Sequence, residues 1–400
     1  MDLKSDSSFW PIQNGLIASY PGLDRDLNCE VAIVGGGITG ALIAYYLSKA
    51  GVDTVLMEKR DIGTGSTSAS TGLLQYEVDV PLHKLIEQIG RKDAERSYHL
   101  CGEAIEKIAR LTEELKDDCG FERKRSLFLA RRPNDVSPLR SEYAARRKCG
   151  IDLAFLKRAE IETKFSFSRP AALYSEQGGQ IDPHRLTHAL LKAGGLRGLK
   201  VFDRNKMNRL ALSPKRISLT THTGCRIQAR RLVLAAGYET QLYLKQRTGS
   251  LKSTYALISE PVKSFPGWHQ RCLIWESATP YLYLRTTEDG RIIVGGEDED
   301  FYSPERRDAL VEQKTKTLAR KFQKMFPRIK LEVAYSWAGT FAETKDGLAY
   351  IGTTHELPGA YLAMGYGGNG ITYSVIAAEI IRDDFLGRPR ADARLFRFDR

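Results

Sequence analysis

The sequence predicts an α/β protein with a Rossmann-like, parallel-sheet unit suited to a dinucleotide. Three observations carry this. A strand, a glycine turn, a helix and a second strand follow one another near the start; short β-branched runs recur after residue 200; and a second glycine string opens the last helix.

In chain order, residues 30–34 read as a short apolar strand, 35–40 as the turn, 41–50 as a helix closed by Gly51, and 53–58 as the next strand. Such a βαβ beginning implies a parallel sheet. Residues 61–71 are dominated by Gly, Ser and Thr without a period, and a loop is expected. Across residues 98–115 apolar side chains recur in steps of three and four, the mark of an amphipathic helix. A strand at 127–130 and a basic helix at 138–148 follow. The charge groups at 123–125, 131–132 and 146–148 are expected as solvated faces. Further strands are expected at 200–202, 217–221, 232–235, 255–261, 281–285 and 291–294. Glu288-Asp289-Gly290 joins the last two as a hairpin turn. A helix at 304–325, a strand at 359–364 and an amphipathic helix at 371–386 complete the chain.

Composition narrows the class. With 400 residues, 42% hydrophobic and 27% charged, the chain can bury a sizeable core, and it is neither disordered nor a small stapled scaffold. Its net charge of +11 favours anionic ligands or simply solubility. The first ten residues lack the apolar core of a signal peptide. The longest apolar stretch, 31–47, contains three consecutive glycines and falls short of the ~20 residues of a membrane span. A cytoplasmic protein without a membrane span is expected. The six cysteines are scattered, with no CxxC pair and no histidine cluster, so free thiols and no metal site are expected.

Gly35, Gly37 and Gly40, with Ile38 and Thr39 between, satisfy GxGxxG between a strand and a helix. The glycines allow a tight turn, close backbone approach to a pyrophosphate and close helix–strand packing. The helix start offers N–H groups to the phosphates. Glu58, beside Lys59 at the end of the next strand, is placed to accept adenosine ribose hydroxyls, and its charge disfavours a 2′-phosphate. FAD and NAD both fit this motif. Residues 365–370 repeat the pattern with only 30 residues remaining, too few for a second nucleotide fold. A helix start of this kind suits the negative charge that reduction places on a flavin ring.

On these motifs the chain resembles the FAD-dependent D-amino acid oxidase superfamily, which includes glycine oxidase and sarcosine oxidase. The resemblance rests on the N-terminal fingerprint with Glu58, the loop from Gly63 to Gly72, Gly179-Gln180-Ile181-Asp182-Pro183, Leu234-Ala235-Ala236-Gly237, Trp337-Ala338-Gly339 with Asp346-Gly347, and Gly367-Gly368-Asn369-Gly370. It implies two interleaved domains. An FAD-binding domain takes 1–95, 170–240 and 335–400, and a substrate domain of antiparallel sheet plus helices takes 96–169 and 241–334. It implies FAD contacts from Ser66, Thr67, Ser68, Ser70, Thr71 and Gly72, from Met207, Ala236 and Gly237, from Gly339 and Asp346, and from Gly367, Gly368, Asn369, Gly370 and Ile371.

Departures from the family pattern bear on substrate. Phe341 stands where the amino acid oxidases carry a carboxylate-gripping arginine, with Arg285 as a substitute candidate. No cysteine lies between residues 338 and 346, so FAD is expected to be non-covalent. Ile293 aligns by eye with an oxygen-activating lysine of sarcosine-oxidase relatives, which leaves the electron acceptor, oxygen or another, open. The family reaction moves hydride from the carbon of a carbon–nitrogen bond to flavin N5 and leaves an imine. Tyr281 and Tyr283 alternate on one strand as catalytic candidates, and Tyr255 is a further pocket candidate. The expected partner is a small amine or amino acid. Two other readings compete: a flavoenzyme acting on an aminomethyl group of tRNA or a nucleotide, suggested by the basic surface, and a flavin-binding subunit of a heteromeric amine dehydrogenase. A homo-oligomer is left open.

Overall fold

The computed structural model describes residues 2–5, 7–213, 216–277 and 280–400. Five parallel strands form the centre of its first, eight-stranded sheet, in the order Lys200–Phe202, Thr54–Met57, Leu27–Val34, Arg226–Leu234 and Ala360–Met364, with Tyr350–Thr353 antiparallel to the last. Val31, Ala32 and Ile33 are buried at 1% exposure or less, as a parallel sheet covered on both faces requires. The helices Ile38–Lys49, Pro183–Gly195 and Gly370–Phe385 pack together beside it. Asp182 caps the second of these by accepting from the N–H groups of His184 and Arg185. An antiparallel meander, Met207–Leu212 with Ile217–Thr221, extends the lower half of Arg226–Leu234.

The second sheet has eight strands, ordered Val333–Glu343, Ser250–Ser259, Ile292–Asp300, Leu282–Thr286, Leu273–Glu276, Ser126–Leu129, Ala171–Ser175 and Leu153–Lys157. It is antiparallel except where Leu273–Glu276 runs parallel to Ser126–Leu129. One face packs on the helix Val311–Met325 through Leu257, Leu284, Val294, Leu318 and Phe322. A three-stranded sheet, Leu73–Leu74, Gly179–Gln180 and Glu122–Arg123, adds a small bridge.

Several expectations shift. Residues 171–175 and 333–343 pair into the antiparallel sheet, although the expected boundaries put 170–240 and 335–400 with the nucleotide-binding unit. The expected helix 304–325 divides into Pro304–Ala309 and Val311–Met325. A short helix, Ser66–Ala69, interrupts the expected loop 61–71. Arg146, expected on a solvated face, is 1% exposed and bonds Glu142 at 2.6 Å, Glu77 at 3.2 Å and Tyr76 at 2.9 Å. A buried guanidinium needs such partners. All six cysteines are unpaired. Among the described residues no helix is long and apolar enough to cross a membrane, and no group of three or more His, Cys, Asp or Glu is placed to hold a metal ion.

Candidate active site

A cavity of about 470 Å³ runs from the first glycine turn to the cavity-facing side of the antiparallel sheet. At one end the Leu27–Val34 strand stops at Gly35, whose φ of +117° would place a Cβ 2.3 Å from the Ala235 carbonyl oxygen. A Cβ on Gly40 would stand 1.9 Å from the Gly35 oxygen, so the helix sits directly on the turn only because both positions are glycine. Glu58 accepts from the backbone N–H of Gly36 at 2.7 Å and of Arg60 at 2.9 Å, which fixes its carboxylate against the turn. Thr67 Oγ1 accepts from Ile38 N–H at 2.9 Å, tying the Ser66–Ala69 turn to the helix start. Thr39 and Ser374 hydroxyls meet at 2.8 Å and join the starts of the Ile38–Lys49 and Gly370–Phe385 helices.

The other end is made of side chains. Tyr281, Tyr283, Thr254, Phe341 and Trp275 line it. Tyr283 lies over Gly295, where a Cβ would fall 2.2 Å from the ring. Burial, with the Asp298 carboxylate nearby, pushes Tyr283 up to about 12 and drives Tyr281 upward as well, so both hydroxyls stay protonated at neutral pH. Beside Gly368, Asp79 accepts from its N–H at 3.0 Å.

The structure brings most of the expected residues to this one cavity. Gly35, Gly37, Ile38, Thr39, Glu58, Lys59, Ser66, Thr67, Ser70, Thr71, Met207, Ala236, Gly237, Gly339, Gly367, Gly368, Gly370 and Ile371 line it, with Tyr281, Tyr283 and Phe341. Gly40, Gly72 and Asn369 stand behind the wall. Asn369 precedes the last helix and donates to the Glu77 carbonyl at 2.6 Å. Ser68 turns its hydroxyl to the Gly65 carbonyl. Lys59 lines the wall but pairs with Glu239 at 2.6 Å.

Three expectations need correction. Arg285 is not in the cavity: it is 2% exposed, donates to the carbonyls of Gly72 and Ile181, and stacks over Trp10. Tyr255 faces the opposite side of the sheet, where Lys314 lies over its ring. Asp346 is removed from the wall and holds Arg400 at 2.8 Å. Ile293 packs with Phe9, Trp10 and Trp337. Strand parity and the N-terminal segment decide these placements, and neither is visible in a local motif. Residues that sequence reasoning missed also line the wall: Leu3, Gln75, Tyr238, Thr254 and Trp275. Leu3 arrives because residues 3–5 pair along Val333–Glu343, with Thr340 N–H donating to its carbonyl at 2.8 Å.

Residues 30–383 match the model of the FAD dependent oxidoreductase family, DAO. The chain belongs to this family. Gamma-glutamylputrescine oxidoreductase of Escherichia coli (strain K12) is 24% identical over 397 residues, covering 94% of this chain and 89% of that one. Glycine oxidase of Bacillus licheniformis is 25% identical over 379 residues, covering 90% and 94%. A longer relative from Bacillus subtilis (strain 168), named for a Rieske 2Fe-2S centre, is 27% identical over 200 residues, which span 50% of this chain and 38% of that one. L-proline dehydrogenase from P. horikoshii shares the fold, with a TM-score of 0.78 at 21% identity over 94% of this chain and 98% of that one.

The cofactor of this oxidoreductase is FAD, held non-covalently. Its wall fits such a group. Ser66 Oγ is sealed from solvent and lacks a hydrogen-bond partner. A Cβ at Gly37 would crowd Thr67 Oγ1 at 2.9 Å, so bare backbone keeps the turn open to a ligand. The first-turn N–H groups of both helices, which no intrahelical carbonyl can satisfy, stand at the same wall.

Proposed function

We propose that the oxidoreductase oxidises the carbon–nitrogen bond of a small amine that is not anchored by an α-carboxylate. The observation that carries this reading is where the cations stand. Lys59, Arg60 and Lys206, the basic residues lining the cavity, all lie at the Glu58 end. The end lined by Trp275, Tyr281, Tyr283 and Phe341 carries no cation among the described residues. A bidentate arginine–carboxylate pair is charge-assisted and directional, and a phenyl ring cannot replace it.

In this reading Glu58 would hold the ribose hydroxyls of FAD, the remaining N–H groups of the Ile38–Lys49 start would hold its pyrophosphate, and the Gly370–Phe385 start would stabilise negative charge on its ring. FAD, when bound, supplies the acceptor for the hydride that leaves the substrate carbon. Tyr281, Tyr283, Trp275 and Phe341 orient the amine and exclude water until the imine departs for hydrolysis. Exclusion of water matters because it strengthens each remaining polar contact. Phe341→Arg tests the reading. It should raise the rate of flavin reduction by glycine or D-alanine at least tenfold while slowing the carboxylate-free amine. Fast, saturable reduction of the unmodified protein by these amino acids would overturn it.

A further inference from the structure

The register of the Ile292–Asp300 strand changes beside the aromatic end of the cavity. Ser253 stands opposite Glu299, but Tyr255 stands opposite Gly296, so one extra residue is inserted. The insertion falls at Glu297, whose φ is +59°, an uncommon conformation for a side-chain-bearing residue in a strand. Strict alternation would turn Glu297 toward the cavity and Asp298 toward the helix behind the sheet. The bulge exchanges them. Glu297 pairs with Lys314 and Lys321 on Val311–Met325, while Asp298 joins the face that carries Thr254 and Tyr283. Strain of this kind persists where the surrounding structure holds it, and it concentrates at functional sites.

Among the described residues Asp298 makes no ion pair, although the Lys252 ammonium feels its charge. The Thr254 hydroxyl lies beside it, and Oδ1 is sealed from solvent without a hydrogen-bond partner. Facing it are the hydroxyls of Tyr281 and Tyr283 from the neighbouring strand, Glu343 from Val333–Glu343, and Asp79 from the loop beside Gly368. Lys252 itself pairs with Asp300 at 2.6 Å and approaches Glu343 at 3.7 Å. Burial and these like charges push Asp298 up to about 7. A half-buried carboxylate with one sealed oxygen, set among acids and aromatic rings, is costly until a positive charge joins it.

Resting on the amine reading above, we propose that the substrate is a diamine or polyamine whose distal ammonium is held at Asp298, making Asp298 the specificity-determining residue. The end of the substrate that reacts lies against the cofactor, and the remote cation supplies binding energy that a carboxylate supplies in amino acid oxidases.

Calorimetric titration of the FAD-loaded protein with 1,4-diaminobutane and with butylamine tests this, alongside anaerobic flavin reduction by each. The diamine should bind at least tenfold more tightly than butylamine. Asp298→Asn should abolish that advantage, by about tenfold or more, while leaving butylamine affinity and FAD content unchanged. Equal affinities for the two amines in the unmodified protein would overturn the inference without recourse to any variant. Tighter diamine binding with no flavin reduction by either amine would support the cation site and instead defeat the proposed amine oxidation.

Discussion

The two ends of the cavity are made of different material. At the Glu58 end the wall is backbone: glycines, helix starts and one carboxylate held by two N–H groups. At the Tyr283 end it is side chains on an antiparallel sheet whose alternation is broken at Glu297. A backbone wall recognises what every dinucleotide shares. A side-chain wall can change its ligand by one substitution without altering the fold.

The largest effect should come from breaking the backbone end. Gly40→Val places a branched side chain where even a Cβ meets the Gly35 oxygen at 1.9 Å, and neither the turn nor the helix can yield. Overpacking of this kind costs roughly 1–3 kcal/mol or more. Soluble yield should fall, and what remains should purify without yellow colour; a variant that keeps full flavin absorbance would show that helix and turn have room to part.

Glu58→Ala comes next. It removes charged hydrogen bonds worth roughly 1.5–3 kcal/mol each and frees the Gly36 and Arg60 N–H groups. FAD affinity of the apoprotein should drop at least tenfold while far-ultraviolet circular dichroism stays the same. Unchanged affinity in flavin titrations would remove Glu58 from the site.

At the other end a glycine should behave differently. Gly295→Ala drives a methyl into the Tyr283 ring, 2.2 Å away, but a tyrosine tip can swing. FAD content should be retained, and KM for the amine should rise several-fold with a smaller change in kcat. Loss of the flavin would mean that this end, too, is part of the cofactor's frame.

The smallest effect is a pH dependence. Asp298, raised to about 7, keeps a proton in the folded protein that the unfolded chain has already released, so its contribution to stability falls as pH rises from about 4 through 7. Buried His184 and His188, lowered to about 4, act in the opposite direction up to about pH 6.5. The difference between unmodified protein and Asp298→Asn isolates the first term. In urea melts without amine, the variant should gain on the unmodified protein between pH 5 and 8. A flat difference would mean that Asp298 is ionised throughout.

The same contrast explains what the sequence disclosed. Gly35 to Gly40 and Glu58 were legible because tight turns and helix starts need particular residues at fixed local spacing. The strands Lys200–Phe202 and Ile217–Thr221 fall where their β-branched pattern puts them. Alternation correctly placed Tyr281 and Tyr283 on one face. It could not place Tyr255, because the face a strand turns inward depends on its partners. Nor could it foresee that Trp10 of the N-terminal segment would cover Arg285 on the Tyr283 face. Asp298 was hidden by an inserted residue that reverses parity. Leu3 and Trp275 reach the wall through pairings that no local pattern announces. Arg146 looked solvated because its carboxylate partners include Glu77, distant in sequence.

The central claim is that the side-chain end selects an amine without gripping a carboxylate. Anaerobic stopped-flow reduction of the bound flavin tests it most directly, with glycine, sarcosine and D-alanine set beside butylamine and 1,4-diaminobutane. The account predicts saturable bleaching by the carboxylate-free amines, fastest at low concentration with the diamine, and slow, non-saturating reduction by the amino acids. Rapid saturation by any of the three amino acids, with the amines inert, would contradict it.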